Sequence, residues 1–401
     1  MLSRLLFLAL FILLIDYLAW YPYSIVFGYF GAWYSWATTL YWLIPTLLIL
    51  NIAGILYLRR GIPSAFTRSA LLILYSTKLL TSAIWLVWSL TLAIIQWLHP
   101  GKMHALFTPA LTAVAFGNTM GLLLLYGMLW NPYRYIVRRV SIPIPNLPTN
   151  LEGLKIVQIS DIHSGSLRRM HAVQKGIQTI NTLQADLLLF TGDLVNYTAD
   201  EVSPELQNVL SQAHAKYGKF AILGNHDYGD YVAWNNKDEK TDNLHKLFQV
   251  HKNIGWTLLL NEHHTIPING HSIAIIGVEN YSTVARFQRY GNLDAATEGI
   301  PSTALRILLS HDPSHWTDQV TTPPYQNIAL TLSGHTHGFQ FGIEIGNWRW
   351  SPAKWLYKHW AGLYTQQNQH LYVNVGFGFL GYPGRVGILP EITLLTLTRQ
   401  S

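Results

Sequence analysis

Apolar residues dominate the first third of the chain in long unbroken runs, and beyond it they recur as short runs closed by polar turns. The long runs, at about residues 5–20, 39–58, 79–98 and 110–130, approach the roughly 20 residues a helix needs to cross a hydrocarbon core. They predict four membrane spans. Trp and Tyr crowd the span ends, as in "DYLAWYPY" and "GMLWNPYRYIVRR", which fits anchoring at the headgroup level. The first run is the shortest, but no small-x-small cleavage site follows it, and this favours an uncleaved helix over a signal peptide. The stretch 142–153, "IPIPNLPTNLEG", is rich in Pro and Asn without a helical period and reads as a linker. The expected organisation is a helical membrane region over 1–140, a linker over 141–153 and a second domain over 154–401.

From Lys155 onward one phrase repeats: a short apolar run, then a loop bearing His, Asp or Asn. "KIVQIS" leads to "DIHSG", "DLLLF" to "TGDLVN", "FAIL" to "GNHD", "RILL" to "SHDP" and "IALTL" to "SGHTHG". Runs of this length bounded by turns read as buried strands. Helical patterns near 168–184 and 205–217 fill some of the gaps, so the domain is expected to be α/β with a mainly buried sheet. Loops that follow the carboxyl ends of such strands gather along one edge and form the ligand crevice.

Charge changes the picture in one respect. The net charge is +6 and only 12% of residues are charged, against about 25% in an ordinary soluble domain. The nine Lys and Arg up to residue 140 face a single acidic residue, Asp16, so the excess lies beside the membrane runs. A nucleic-acid reading of the net charge therefore loses most of its support. Arg4 precedes the first run, Arg59, Arg60, Arg68 and Lys78 fall between the second and third, and Arg134, Arg138 and Arg139 follow the fourth. The other two loops hold only Lys102. By the positive-inside rule everything after Trp130 faces the cytoplasm. Asp16 is expected as a solvated carboxylate near the outer end of its span, in preference to part of an ion path.

The chain has no cysteine, so any metal must be held by His, Asp, Glu or Asn. The strand-end loops would gather Asp161, His163, Asp193, Asn225, His226, His311, His335 and His337. Imidazole and carboxylate together suit Mn, Fe or Zn, and a carboxylate can bridge two such ions. Singly, Asp161 could cap a helix, Asn225 could form a turn and His311 could be a buried hydrogen-bonded histidine. Five such loops in succession favour a dinuclear site. Glycines precede Asp193, Asn225 and His335, as expected where backbone bends sharply or passes close to the site.

The ordered set D-x-H, G-D, G-N-H-D, H and G-H-T-H resembles the calcineurin-like metallophosphoesterase superfamily over about residues 154–397. The resemblance implies an α/β/β/α sandwich with two divalent metal ions at the sheet edge. It implies Asp161, His163 and His337 as ligands of one ion, Asp193 as the bridge, and Asn225, His311 and His335 as ligands of the other. His226 would be the catalytic histidine and Asp227 a positioning group. The implied reaction is in-line attack of water on phosphorus without a phosphoenzyme. The second motif reads "GDLVNYT", with Asn196 where protein phosphatases of the superfamily carry a second Asp. The tail "NVGFGFLGYPGRVGILPEITLLTL" and the motif "GHTHGFQ" are similar to bacterial membrane-associated members, which usually have Gly where Phe339 stands. Arg385 is a candidate for holding substrate phosphate, its guanidinium fork matching phosphate geometry; the other reading is a solvated arginine.

The segment 345–364, "IGNWRWSPAKWLYKHWAGLY", interleaves aromatic and basic residues. It could meet lipid headgroups, pack within the domain or stack on bases, and the tether favours the first. The expected activity is metal-dependent hydrolysis of a phosphate ester or pyrophosphate, with a lipid or lipid-linked molecule as a candidate substrate. The rival readings are a binding-only signalling or scaffold protein and a nuclease. No segment calls for a protein partner.

Overall fold

The computed structural model describes residues 2–57, 65–100, 105–346 and 348–400, and divides into two compact units, Met1–Leu129 and Trp130–Ser401. Leu58, Arg59, Arg60, Lys102 and Asn347, which enter the readings above, lie outside the described residues.

The first unit contains α1 (Leu2–Tyr29), α2 (Tyr34–Tyr57), α3 (Ala65–Leu98) and α4 (Phe107–Leu129). Among the described residues, Leu10–Tyr29, Thr67–Leu98 and Phe107–Leu129 are long and apolar enough to cross a membrane; of the run at 39–58, residues 39–57 fall on α2. Small residues bring α3 and α4 together. A Cβ on Gly117 would stand 1.9 Å from Thr81 Oγ1, and one on Gly121 would stand 2.4 Å from Thr77 Oγ1, the close approach that small residues permit between membrane helices.

Two charges in this unit correct the sequence reading. Asp16 is only 4% exposed, and its Oδ1 lies 2.5 Å from Lys78 Nζ. Tyr75 Oη donates to Asp16 Oδ2 at 3.2 Å, and Lys78 Nζ stands 4.0 Å over the Tyr41 ring. Because α3 begins at Ala65, it draws Arg68 and Lys78 out of the expected loop and into the helix, where Lys78 neutralises Asp16. The expected solvated carboxylate is a buried ion pair.

The second unit begins with β1 (Ile136–Ile144), β2 (Lys155–Ile159), α5 (Met170–Thr182), β3 (Leu187–Phe190), α6 (Pro204–Ser211), β4 (Gly218–Ala221), α7 (Lys237–Asn253) and β5 (Thr257–Leu258). It continues through β6 (Glu262–Ile268), β7 (His271–Gly277), α8 (Leu293–Thr297), β8 (Leu305–Leu309), β9 (Ile328–Ser333), β10 (Ile343–Ile345) and β11 (Trp348–Trp350). It closes with β12 (Gly362–Gln366), β13 (Gln369–Val373) and β14 (Glu391–Arg399). One sheet has the order β1-β14-β2-β3-β4-β5, a second has β12-β13-β9-β8-β7-β6, and β10 pairs with β11 alone.

Alternation along the strands builds the layers. Ile156, Leu187 and Leu189 meet Ile273, Ile275, Ile307, Leu309, Leu330 and Leu332 between the two sheets. Their neighbours Val157, Ile159, Leu188 and Phe190 face Val173 and Ile177 of α5, Leu206 of α6 and Leu247 of α7. On the far side Ala274, Ile276 and Leu308 pack against Leu293 and Ala296 of α8 and against Trp316. The expected α/β/β/α sandwich is present, with α7 an addition that the apolar pattern does not signal.

The domain boundary moves. β1 pairs in parallel with β14 from Ile136↔Glu391 to Ile144↔Arg399, so residues assigned to the membrane region and the linker belong to the sheet. Pro143 sits in this strand because β1 is at the sheet edge, where a residue without an N–H breaks no ladder.

Candidate metal centre

Each predicted ligand follows the end of a strand. Asp161 and His163 follow β2, Asp193 follows β3, Asn225 and His226 follow β4, His311 follows β8, and His335 and His337 follow β9. Asp161, His163, Asp193, His335 and His337 all take positive φ, between 48° and 72°. For residues other than glycine this costs roughly 1–2 kcal/mol each, and such strain gathers at functional sites. Two of the glycines allow the turns to touch backbone to backbone. A Cβ on Gly192 would lie 2.5 Å from Gly224 N, and one on Gly224 would lie 2.6 Å from Asp193 N.

Two donor groups result, Asp161–His163–His337 and Asp193–His311–His335, the ligand atoms of each lying within 4.8 Å of one another. Nε2 of His163 is 2.9 Å from Nε2 of His337, which is 3.3 Å from Asp161 Oδ1. Oδ2 of Asp193 stands 3.2 Å from His311 Nε2 and 3.6 Å from His163 Nε2, reaching both groups from between them. His335 Nδ1 lies 3.3 Å from His311 Nε2. Asn225 donates through Nδ2 to Tyr231 Oη at 2.8 Å, while its buried Oδ1 has no partner.

Other contacts orient these groups. His311 Nδ1 meets the Thr191 carbonyl at 2.7 Å, which turns Nε2 toward the centre. His226 Nδ1 meets the Asn196 carbonyl at 2.8 Å, and its backbone N–H donates to Asp193 Oδ1 at 2.9 Å. Asp227 accepts backbone N–H groups from Asp193, Leu194, Val195 and Gly224, so it ties the β3 and β4 turns together.

The electrostatics favour cations. Burial pushes His163 down to about 3 and His335 to about 4, and it holds His337 well below the usual imidazole range, which leaves the neutral form a metal requires. Burial also opposes charge on His311, but Asp193 and Asp161 outweigh it and raise His311 to about 10. Burial would likewise raise Asp193, yet His311 and His226 hold it well below the carboxylate range. Without metal, Asp193 carries negative charge paired with the His311 cation, while neutral His163, His335 and His337 and the unpartnered Asn225 oxygen surround them; an ion at Asp193 would displace the His311 proton. This donor set fits two divalent ions.

The calcineurin-like phosphoesterase family profile matches residues 154–339. The uncharacterised metallophosphoesterase YkuE of Bacillus subtilis is 31% identical over 299 residues, 74% of this chain and 95% of that protein. The chain belongs to the calcineurin-like metallophosphoesterases. A transmembrane protein with metallophosphoesterase domain from Bos taurus is 28% identical over 65% of this chain and 56% of its own length. The UDP-2,3-diacylglucosamine pyrophosphatase LpxG of Chlamydia trachomatis is 26% identical over 60% of this chain and 83% of its own.

In this metallophosphoesterase Arg385 is not presented to substrate. It is 0% exposed and donates to the carbonyls of Val375, Gly376, Gly378 and Ile388. It is neither a phosphate clamp nor a solvated arginine, because the Gly-rich tail folds around it and consumes its donors.

A cavity of about 650 Å³ opens over the metallophosphoesterase centre, with Asp193, Asn225, His226, His335 and His337 in its lining. The lining also includes Arg286, Phe287, Phe339, Tyr357, Leu380 and Tyr382, and the rings of Phe287 and Tyr357 stand edge-on to His335 at 5.0 and 5.4 Å between centroids. Arg286 and Phe287, with the guanidinium carbon 4.6 Å from the ring, escape the sequence reading. They lie beyond "SIAIIG", another apolar run followed by a polar loop, which was the available signal. Phe339 keeps the left-handed backbone that glycine would favour, at φ 53°, and its ring remains 43% exposed at the cavity wall.

Proposed function

We propose that this chain is a membrane-anchored dinuclear metallophosphoesterase that hydrolyses a phosphate ester or pyrophosphate of a lipid or lipid-linked molecule. The observation that carries this reading is the cavity, whose lining joins Asp193, His335 and His337 of the two donor groups to the rings of Phe287, Phe339, Tyr357 and Tyr382. Asp161, His163 and His337 would hold one ion, Asn225, His311 and His335 the other, and Asp193 both; Mn, Fe and Zn suit the donors. When bound, two such ions activate water as a nucleophile and draw charge from the phosphoryl oxygens.

The side chains supply the rest. His226 donates Nδ1–H to the Asn196 carbonyl, so Nε2 carries the lone pair of the neutral ring; once protonated to the imidazolium, Nε2 would pass that proton to the departing oxygen as the P–O bond breaks. Arg286 offers a fork of donors to a phosphoryl or neighbouring phosphate, and Phe287 and Phe339 accept the apolar part of the substrate. That the LpxG relative is named for a lipid-linked pyrophosphate supports this substrate class. The apolar helices and the bovine relative support an anchor of several spans, and Arg4 and Arg134 favour a cytoplasmic catalytic unit.

The test uses the full chain in detergent loaded with Mn, assayed on an aryl phosphate monoester, its diester and a diacylated sugar nucleotide diphosphate. Asp193→Asn and chelator are the controls. Turnover of the lipid-linked pyrophosphate above that of the aryl esters, lost in both controls, is the expected result. Turnover indifferent to chelator sinks the metal reading, and equal turnover of all three compounds sinks the lipid-linked one.

A further inference from the structure

The hairpin of β10 and β11 is built inside out. Its register places Ile343 opposite Trp350 and Ile345 opposite Trp348, with Glu344 opposite Arg349 between them. Alternation therefore puts the four apolar residues on one face and the charged pair on the other. The charged face is the one tied to the domain. Glu344 meets Arg349 at 3.3 Å and Arg138 of β1 at 2.5 Å, and Arg138 also binds Glu391 of β14 at 3.1 Å. The apolar face is the one left open, with Ile345 70% and Trp348 56% exposed. An antiparallel ribbon beside water normally turns its apolar side inward, and a lone two-stranded ribbon is marginal without a surface to pack on.

The surroundings say what covers it. Trp355 and Leu356 are also exposed, next to Lys354 and Lys358, and Trp355 meets Trp350 edge-on with centroids 5.7 Å apart. Trp348 and Arg349 of the hairpin also line a cleft of about 660 Å³ with Arg138, Arg139, Trp360 and Leu363. Trp mixed with cations is the composition of a membrane interface, and a cleft of arginines complements anionic headgroups. The same chain carries helices able to cross a bilayer, so a bilayer is the apolar phase held within this domain's reach.

We propose that the β10–β11 hairpin and the Trp355–Leu356 turn insert into the headgroup layer of the membrane, with anionic lipid phosphates in the arginine cleft. Phe339, Phe341, Pro352 and Tyr357, which flank or follow the hairpin, line the catalytic cavity. Insertion therefore sets the cavity entrance against the lipid. The docking stands without the substrate reading above and can fail or hold separately from it.

The chain has no native cysteine, so Ile345→Cys gives a single site for an environment-sensitive fluorophore. The labelled full chain is placed in phosphatidylcholine nanodiscs with phosphatidylglycerol, and quenching by a lipid-attached nitroxide is compared with quenching by iodide. Glu298→Cys, on an exposed part of the same domain, is the reference. The proposal expects a several-fold stronger lipid quenching at 345 than at 298, with iodide quenching reversed. Free access of iodide at 345 overturns it. Shielding from both quenchers also overturns it, in favour of a protein or a second copy on this face. Lipid quenching unchanged when phosphatidylglycerol is omitted overturns the assignment of anionic headgroups to the cleft.

Discussion

Nε2 of His163 and Nε2 of His337 face each other across 2.9 Å, with both imidazoles held neutral by burial. Two lone pairs at that separation are compatible when a proton or a cation lies between them. Mn should therefore stabilise the fold, by about 2.7 kcal/mol at a hundredfold excess over its dissociation constant. Thermal unfolding of the full chain in detergent, with Mn and after chelation, measures this; identical midpoints would exclude a metal at this pair. His337→Gln should lower the bound Mn stoichiometry.

Phe339 holds a left-handed backbone that glycine would adopt without strain. Phe339→Gly should therefore leave the melting midpoint unchanged or raise it, relieving about 1 kcal/mol. The ring's removal should at the same time weaken binding of an apolar substrate group, by roughly ten- to a hundredfold if the aromatic contact contributes 1.5–3 kcal/mol. The check is the ratio of kcat/KM for a lipid-linked substrate to that for a small aryl ester. A ratio equal to that of the unaltered chain would deny Phe339 a role in selection.

The buried Asp16–Lys78 pair makes a prediction with a built-in control. Lys78→Met leaves an unpaired carboxylate among apolar helices, at a cost of about 3–5 kcal/mol. Adding Asp16→Asn removes that charge and should recover part of the loss. Resistance to thermal aggregation in detergent, followed by size exclusion, should rank the single variant below the double. The reverse order would remove the pair from the account of helix packing.

His251 supplies a pH dependence away from the metal centre. It is fully buried between Phe190 and Trp256, neither ring nitrogen has a partner, and burial pushes it down to about 3. The unfolded chain binds this proton near pH 6.5, so the folded state loses stability as pH falls from about 6.5 toward 3, at about 1.4 kcal/mol per pH unit. His251→Phe should flatten the dependence of the unfolding midpoint over that window. An unchanged slope would assign the acid sensitivity to other groups.

The ligand-bearing turns were legible because each is announced locally, by an apolar run that ends in a polar loop with glycine. What escaped depends on partners far along the chain. β1 reads as the basic end of the membrane region running into a proline-containing linker until β14 is laid beside it. Asp16 reads as solvated until Lys78, 62 positions away, closes on it. Arg385 looks like a phosphate clamp until four carbonyls of the neighbouring turns surround it. For the segment 345–364 the composition pointed to lipid, but composition alone does not say which face of a hairpin is outward; the ion pairs of Glu344 decide that.

The placement of β14 between β1 and β2 also governs the order of assembly. Strands β2, β3 and β4 can pair as they leave the ribosome, but β1, made before them, has no partner until Glu391–Arg399 is synthesised. Throughout that interval β1 and β2 are both open edges, and this most non-local of closures is the slow one. The nascent domain is thus most exposed to chaperones, and to wrong pairing, while it waits for its own last strand.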